Sequence, residues 1–300
     1  MTDQLGLDGK VAIVTGAGAG LGRAEAVALA RAGARVVVND IANDTAPTDV
    51  LDEIEALGGK ALLVTGDIAE RSTADALLLA ATEHFGGLHI VVNNAGVVRD
   101  RMLFNMTDEE WDTVIRVHLR GHFLLSRNAA AYWRGQVKAT GEPAYARLIN
   151  TSSEAGLTGS EGQPNYAAAK AGIAALTVST ARALARLGVR ANAICPRART
   201  AMTDAVFGAA PSDGLDPLSV EHVAPLVAFL AAPAADAING QVFVVYGGMV
   251  ALLAPPTVER RFDAAGSAWT PADLDGTLGA YFSDRDPDRT FACTEVLTLS

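Results

Sequence analysis

Cysteine is nearly missing from this 300-residue chain, which has two, Cys195 and Cys293. They stand far apart, and neither has the neighbours that a metal-ligand or paired-thiol motif requires, so no metal is expected. Buried free thiols in a reducing compartment and one structural disulfide remain as readings. Basic residues are in deficit too: 24 Lys and Arg against 34 Asp and Glu give a net charge of -10. No basic stripe offsets that charge, which excludes nucleic acid and an anionic membrane as expected partners and obliges any anionic ligand to find local donors. Apolar runs are short, none approaching the ~20 residues that span a bilayer. Met1 to Lys10 is polar and lacks the basic and apolar regions of a signal peptide, so a cytoplasmic protein is expected. There is no internal repeat, low-complexity tract or Pro/Ser/Gly-rich linker.

Half of the residues are hydrophobic and only 19% are charged, which suits an extensive core. Short β-branched runs begin at Val11, Arg35, Ala61, Ile90, Leu148, Ala191 and Val242. Ala/Leu-rich helical patterns lie between them, near 21–31, 48–57, 73–85, 108–134, 166–187 and 219–231. Nearly all-apolar strands are buried on both faces, and their alternation with helices demands right-handed crossovers. The expected fold is therefore α/β: one doubly wound (Rossmann) domain over residues 1–250, with a seven-stranded parallel sheet. Residues 200–218 are long for a connection, carry Gly208, Pro211, Gly214 and Pro217, and read as a substrate lid. Residues 251–300 read as a helical extension. Thr270 and Pro271 start its helix, and Leu274, Leu278, Tyr281 and Phe282 form an apolar stripe to dock on the domain or a neighbouring subunit.

The first strand leads into Thr15-Gly16-Ala17-Gly18-Ala19-Gly20-Leu21-Gly22. Glycines at a strand-to-helix turn let a diphosphate approach backbone N–H groups at the positive end of the helix dipole. Strand 2 ends at Asp40, whose carboxylate can accept from a ribose diol and would repel a 2′-phosphate. No Arg or Lys follows in Ile41-Ala42-Asn43-Asp44 to reverse that preference. The other reading of Asp40 is a residue that closes a turn.

Tyr166 and Lys170 lie one helical turn apart and share a helix face. A tyrosine working near neutrality must be lowered from ~10 to about 7, worth about 4 kcal/mol. A cation about 5 Å away supplies roughly 3 kcal/mol at an effective dielectric near ~20. Lys170 is thus expected to do most of the lowering.

These segments together resemble the short-chain dehydrogenase/reductase family. Thr15, Gly16, Gly20 and Gly22 match its glycine pattern, and Asn93-Asn94-Ala95-Gly96 matches a second motif. Its catalytic Ser, Tyr and Lys fall on Ser153, Tyr166 and Lys170. Asp67-Ile68 matches its adenine-contacting position. The resemblance implies hydride transfer between NAD and an alcohol or ketone. Tyr166 would move the hydroxyl proton, Ser153 would hold the substrate oxygen, and Lys170 would bind the nicotinamide ribose. Cofactor contacts are implied at Gly16, Gly18, Gly20, Leu21, Gly22, Asp40, Asp67, Ile68, Asn94, Ala95, Gly96, Tyr166, Lys170, Pro196 and Thr200.

Two departures stand out. His118 occupies the place of a family Asn that helps hold a water chain to the lysine; a helix kink could supply a backbone carbonyl there instead. His118 is therefore either a relay or a satisfied interior histidine. Pro196-Arg197-Ala198-Arg199-Thr200 departs from the usual Pro-Gly pattern. Arg197 and Arg199 are candidate cations for ligand phosphates or else solvated loop charges.

Val117-His118-Leu119-Arg120-Gly121 and the extension past the last strand resemble a narrower branch. It is the (3R)-hydroxyacyl-CoA dehydrogenase part of peroxisomal multifunctional enzymes type 2, also called 17β-hydroxysteroid dehydrogenase type 4. That implies a 3-hydroxyacyl-CoA substrate, with a steroid or other bulky alcohol as rival, and a homodimer or homotetramer. A dinucleotide-sensing protein without activity is the remaining class.

Overall fold

The computed structural model describes residues 5–41, 47–203, 207–287 and 289–299. The alternation becomes β1 (Val11–Thr15), α1 (Gly20–Arg31), β2 (Arg35–Asp40), α2 (Asp49–Ala56), β3 (Lys60–Thr65), α3 (Arg71–Leu79) and β4 (Ile90–Asn93). It continues through α4 (Asp108–Ile115), α5 (Gly121–Thr140), β5 (Ala146–Thr151), α6 (Ala155–Thr158), α7 (Pro164–Leu184), β6 (Val189–Pro196), α8 (Ala224–Ala231), β7 (Val242–Tyr246) and β8 (Met249–Leu252).

The strands form one sheet in the order β3-β2-β1-β4-β5-β6-β7-β8. Every neighbouring pair is parallel except β7 and β8. The expected seven-stranded parallel sheet thus gains an eighth, antiparallel strand. Gly247-Gly248 joins β7 to β8 as a two-residue hairpin, with Tyr246 opposite Met249. The boundary expected at residue 250 falls inside β8.

Side chains alternate across the sheet, so each strand feeds two cores. Ala12, Val14, Val36, Val38, Ile90 and Val92 pack with Leu29 of α1 and Val227 of α8. Val11, Ile13, Val37 and Val91 pack with Leu77, Leu124 and Trp133 on the other face. The order reverses between β1 and β4, where a doubly wound sheet opens a crevice at its carboxyl ends.

The helix expected over 108–134 is not uniform. Arg116–Arg120 forms a π turn between α4 and α5, the local kink that the sequence reading allowed for. The tail helix starts where expected, with Thr270 and Asp273 in a capping box and Pro271 at the first position. Within its stripe Leu274 and Phe282 are 36% and 57% exposed, while Leu278 and Tyr281 are half-buried. What docks is the last stretch, where Val296 is buried against Cys195 and Val244. Cys195 and Cys293 are both free thiols.

Candidate active site

The loop after β1 requires its glycines sterically. A Cβ on Gly22 would meet the Gly16 carbonyl oxygen at 2.3 Å and Asn94 Nδ2 at 2.5 Å. Asn94 Nδ2 donates to the carbonyls of Thr15 (3.0 Å) and Gly16 (3.2 Å), tying the end of β4 to this loop. The side chain of Asn94 is therefore committed to the main chain. Ala19, at the N-cap of α1, offers no side-chain cap, and the first turn holds no acidic residue. An anion is the natural partner of uncapped N–H groups at that end of the dipole, so the cradle fits a dinucleotide diphosphate.

Asp40 lies beside the cradle. Its Oδ2 accepts from Gly18 N–H at 2.8 Å and its Oδ1 from Ile41 N–H at 2.8 Å. Both carboxylate oxygens retain acceptor capacity toward a ligand. Of the run expected to decide 2′-phosphate tolerance, Ile41-Ala42-Asn43-Asp44, residues 42–44 lie outside the described residues. Asp67 pairs with Arg116 at 2.9 Å, while the Ile68 side chain is buried in the core. Thr200 packs toward Gly20, where an added Cβ would sit 3.5 Å from its Cγ2. The base of the 200–218 loop thereby approaches the glycine turn; residues 204–206 of that loop lie outside the described residues.

Ser153 follows β5, and Tyr166 and Lys170 lie on α7. The Ser153 hydroxyl lies near enough to the Tyr166 phenol to favour its ionised form. Lys170 Nζ lies 5.3 Å from the Tyr166 ring centroid and donates to the Thr151 carbonyl at 2.6 Å. Ser152 instead donates to the Lys170 carbonyl at 2.9 Å. Burial pushes the phenol up to about 12, opposed first by the nearby Ser153 hydroxyl. Burial also pulls the Lys170 ammonium down to about 7. Burial here outweighs the lowering expected from Lys170 and a cationic cofactor ring together, so the phenol stands above its ordinary range.

His118 packs edge-on against Tyr166, ring centroids 5.2 Å apart. Its Nε2 meets the Val97 backbone, 3.0 Å from N and 2.7 Å from O. A Cβ on Gly96 would lie 2.3 Å from its Cε1, so the Asn-Asn-Ala-Gly turn needs glycine to admit this ring. Burial, then the Lys170 charge, holds the imidazole well below its usual range. An imidazole kept neutral throughout the working range adds no inflection to a rate profile. His118→Ala should therefore lower turnover only modestly and leave the pH profile unchanged; a shifted profile would instead make the ring a proton carrier.

His122, one turn further on, was not singled out in the sequence. It is buried, and burial followed by the Lys170 charge pulls it down to about 3. His118 Nδ1, His122 Nε2 and Thr151 Oγ1 are buried and lack protein partners among the described residues. The i, i+4 spacing of the two histidines was the available signal.

Arg197 and Arg199 are ion-paired and largely buried rather than solvated. Arg197 pairs with Glu154 at 2.8 Å and Arg199 with Asp216 at 3.0 Å. Arg199 also donates to the carbonyls of Phe207 and Gly208, stapling the lid segment to the end of β6.

A glycine cradle at the switch point of a doubly wound sheet, facing a Ser-Tyr-Lys cluster, defines the class of dinucleotide-dependent oxidoreductases. The pattern of the short chain dehydrogenase family matches residues 10–209, and the chain belongs to that family. Its members bind NAD or NADP. Hydroxyacyl-CoA dehydrogenase ChsB1 of Mycobacterium tuberculosis is 62% identical over 304 residues, covering 99% of this chain and 96% of that protein. Peroxisomal multifunctional enzyme type 2 of Mus musculus is 39% identical over 261 residues, covering 84% of this chain and 34% of that longer protein. The crystal structure of a short chain dehydrogenase from Mycobacterium avium aligns with a TM-score of 0.83 at 44% identity, covering 94% of this chain and 97% of that one. No helix among the described residues is long and apolar enough to cross a membrane.

Proposed function

We propose that this chain is an NAD-dependent dehydrogenase interconverting a 3-hydroxyacyl-CoA and its 3-oxoacyl-CoA. The observation that carries the reading is the convergence of Ser153, Tyr166 and Lys170 beside the glycine cradle. The acyl-CoA assignment is supported by the hydroxyacyl-CoA dehydrogenase that resembles this chain over nearly its whole length.

Gly16, Gly18, Gly20, Leu21 and Gly22 would hold the diphosphate, Asp40 the adenosine ribose, and Asp67 and Ile68 the adenine edge. Asn94, Ala95 and Gly96 would line the middle of the site, and Pro196 and Thr200 its nicotinamide end. When bound, the nicotinamide supplies or accepts the hydride. In the reductive direction Tyr166 gives its proton to the substrate oxygen, and Ser153 donates a hydrogen bond to that oxygen as negative charge develops. Lys170 steadies the phenolate left behind and bonds the ribose. In the oxidative direction Tyr166 must first yield its proton, so positive charge brought close to the phenol is part of the mechanism.

A panel of 3-hydroxyacyl-CoA thioesters against hydroxysteroids tests the substrate. The thioesters should give the higher kcat/KM, and steroids oxidised more efficiently than any thioester would transfer the assignment to the steroid class. For the cofactor, Asp40→Asn keeps an acceptor for Gly18 N–H and removes the charge. The preference for NAD over NADP should then narrow about 10- to 100-fold, the worth of one charge-assisted hydrogen bond. Equal use of both cofactors by the unaltered enzyme would remove the role given to Asp40. The exposed Leu274 and Phe282 are assigned to contact with a second copy, and sedimentation should find a dimer or tetramer in the cytoplasmic enzyme.

A further inference from the structure

Arg197 stands where the family pattern has glycine after proline, and its guanidinium joins three distant segments. Nε and Nη2 donate to the two carboxylate oxygens of Glu154, each at 2.8 Å. Nη1 donates to the Leu299 carbonyl at 2.7 Å and Nη2 to the Val296 carbonyl at 2.5 Å. The guanidinium lies over the Tyr246 ring, 4.7 Å from its centroid, and the Tyr246 hydroxyl donates to the same Leu299 carbonyl at 3.2 Å. Arg197 and Glu154 are each only 17% exposed, so this is a largely desolvated fork, a geometry lysine cannot reproduce.

The attachment reaches the reacting groups within one residue. Glu154 directly follows Ser153, and its carbonyl accepts from the Leu157 (2.8 Å) and Thr158 (2.9 Å) amides that close α6. Ser153 Oγ accepts from Ala155 N–H at 3.2 Å. The tail grips the same short helix, since Cys293 N–H donates to the Leu157 carbonyl at 2.9 Å. Leu157, Cys293 and Leu299 pack around buried Val296.

We infer that Arg197 is a positioning residue: with the segment 293–299 docked on it, it fixes the Ser153 turn through Glu154, so the end of the chain is a working part of the active site. This rests on Ser153 being the group that holds the substrate oxygen. A misplacement of about 1 Å at such a group costs on the order of 10²-fold in rate.

The test uses Arg197→Met, Arg197→Lys, Glu154→Gln and a chain ending at Phe291, with Leu297→Ala, on the exposed side of the tail, as control. Expected are a drop in kcat of about 10- to 100-fold with NAD affinity unchanged, partial rescue by lysine, and no further loss when Arg197→Met is combined with the truncation. Amide exchange at 155–159 should quicken about tenfold in Arg197→Met and in the truncated chain. Exchange needs no substrate, so it decides the clamp even if the acyl-CoA assignment fails. Unaltered exchange at 155–159 in Arg197→Met, or additive losses in the combined variant, would overturn the inference.

Discussion

Tyr166→Phe should lower kcat by about 10²- to 10⁴-fold, the usual worth of a positioned proton donor, while dinucleotide affinity stays within about twofold. The substitution removes the phenolic oxygen that Ser153 contacts and leaves the ring against His118 and the whole glycine cradle in place. Lys170→Ala should behave differently, weakening both turnover and cofactor affinity, because the role proposed for the ammonium serves both the phenolate and the ribose. Single-turnover rates and fluorescence titration of the reduced cofactor separate the two patterns. Near-normal turnover in Tyr166→Phe would end the mechanism proposed above.

Glu25→Met should stabilise the protein at alkaline pH by several kcal/mol. Glu25 is fully buried on α1, and neither carboxylate oxygen has a protein partner among the described residues. Burial raises it from an ordinary 4.5 to about 8. Between those values the folded chain keeps a proton that the unfolded chain releases, so this group's contribution to stability is greatest below about 4.5, falls as pH rises to about 8 and levels off beyond. The full span corresponds to about 5 kcal/mol as an upper bound. Denaturant melts at pH ~5.5 and ~8.5 should show a decline in the unaltered protein that the Met variant lacks. Parallel declines in the two would mean that another group carries the dependence.

Strands and helices were legible because the strands buried on both faces are apolar almost throughout and the helices between them are not. β8 was missed although Gly247-Gly248 between two apolar runs is a hairpin signal; an uninterrupted series of parallel crossovers drew Met249 and its neighbours into the tail. Ser153, Tyr166 and Lys170 were brought together by motif order, and the structure places them in contact with one another or nearly so. Their protonation was not legible. Helical spacing says that Tyr166 and Lys170 are neighbours, but it is silent on the Thr151 carbonyl that takes the ammonium and on the burial that opposes charge on both. The two loop arginines were unreadable for a related reason: their partners, Glu154, Asp216 and the last carbonyls of the chain, lie 17 to 102 positions away.

The π turn at Arg116–Arg120 has a consequence for chain length. Such a turn accommodates one residue more than an α turn, and each residue advances a helix by about 100°. α4 packs on α7, which bears Tyr166, and α5 packs on α3 in the core to which α7 also contributes Ala181. Removing a single residue from this stretch would let a regular helix run through with α4 and α5 still in phase, because the extra residue is absorbed within the wide turn itself. Leu124 and Leu125 would keep their core, and the change would fall on the turn itself, which carries His118 against Tyr166. The wide turn is thus a stitch let out in an otherwise even seam: both ends stay aligned, and the slack is taken up beside the site.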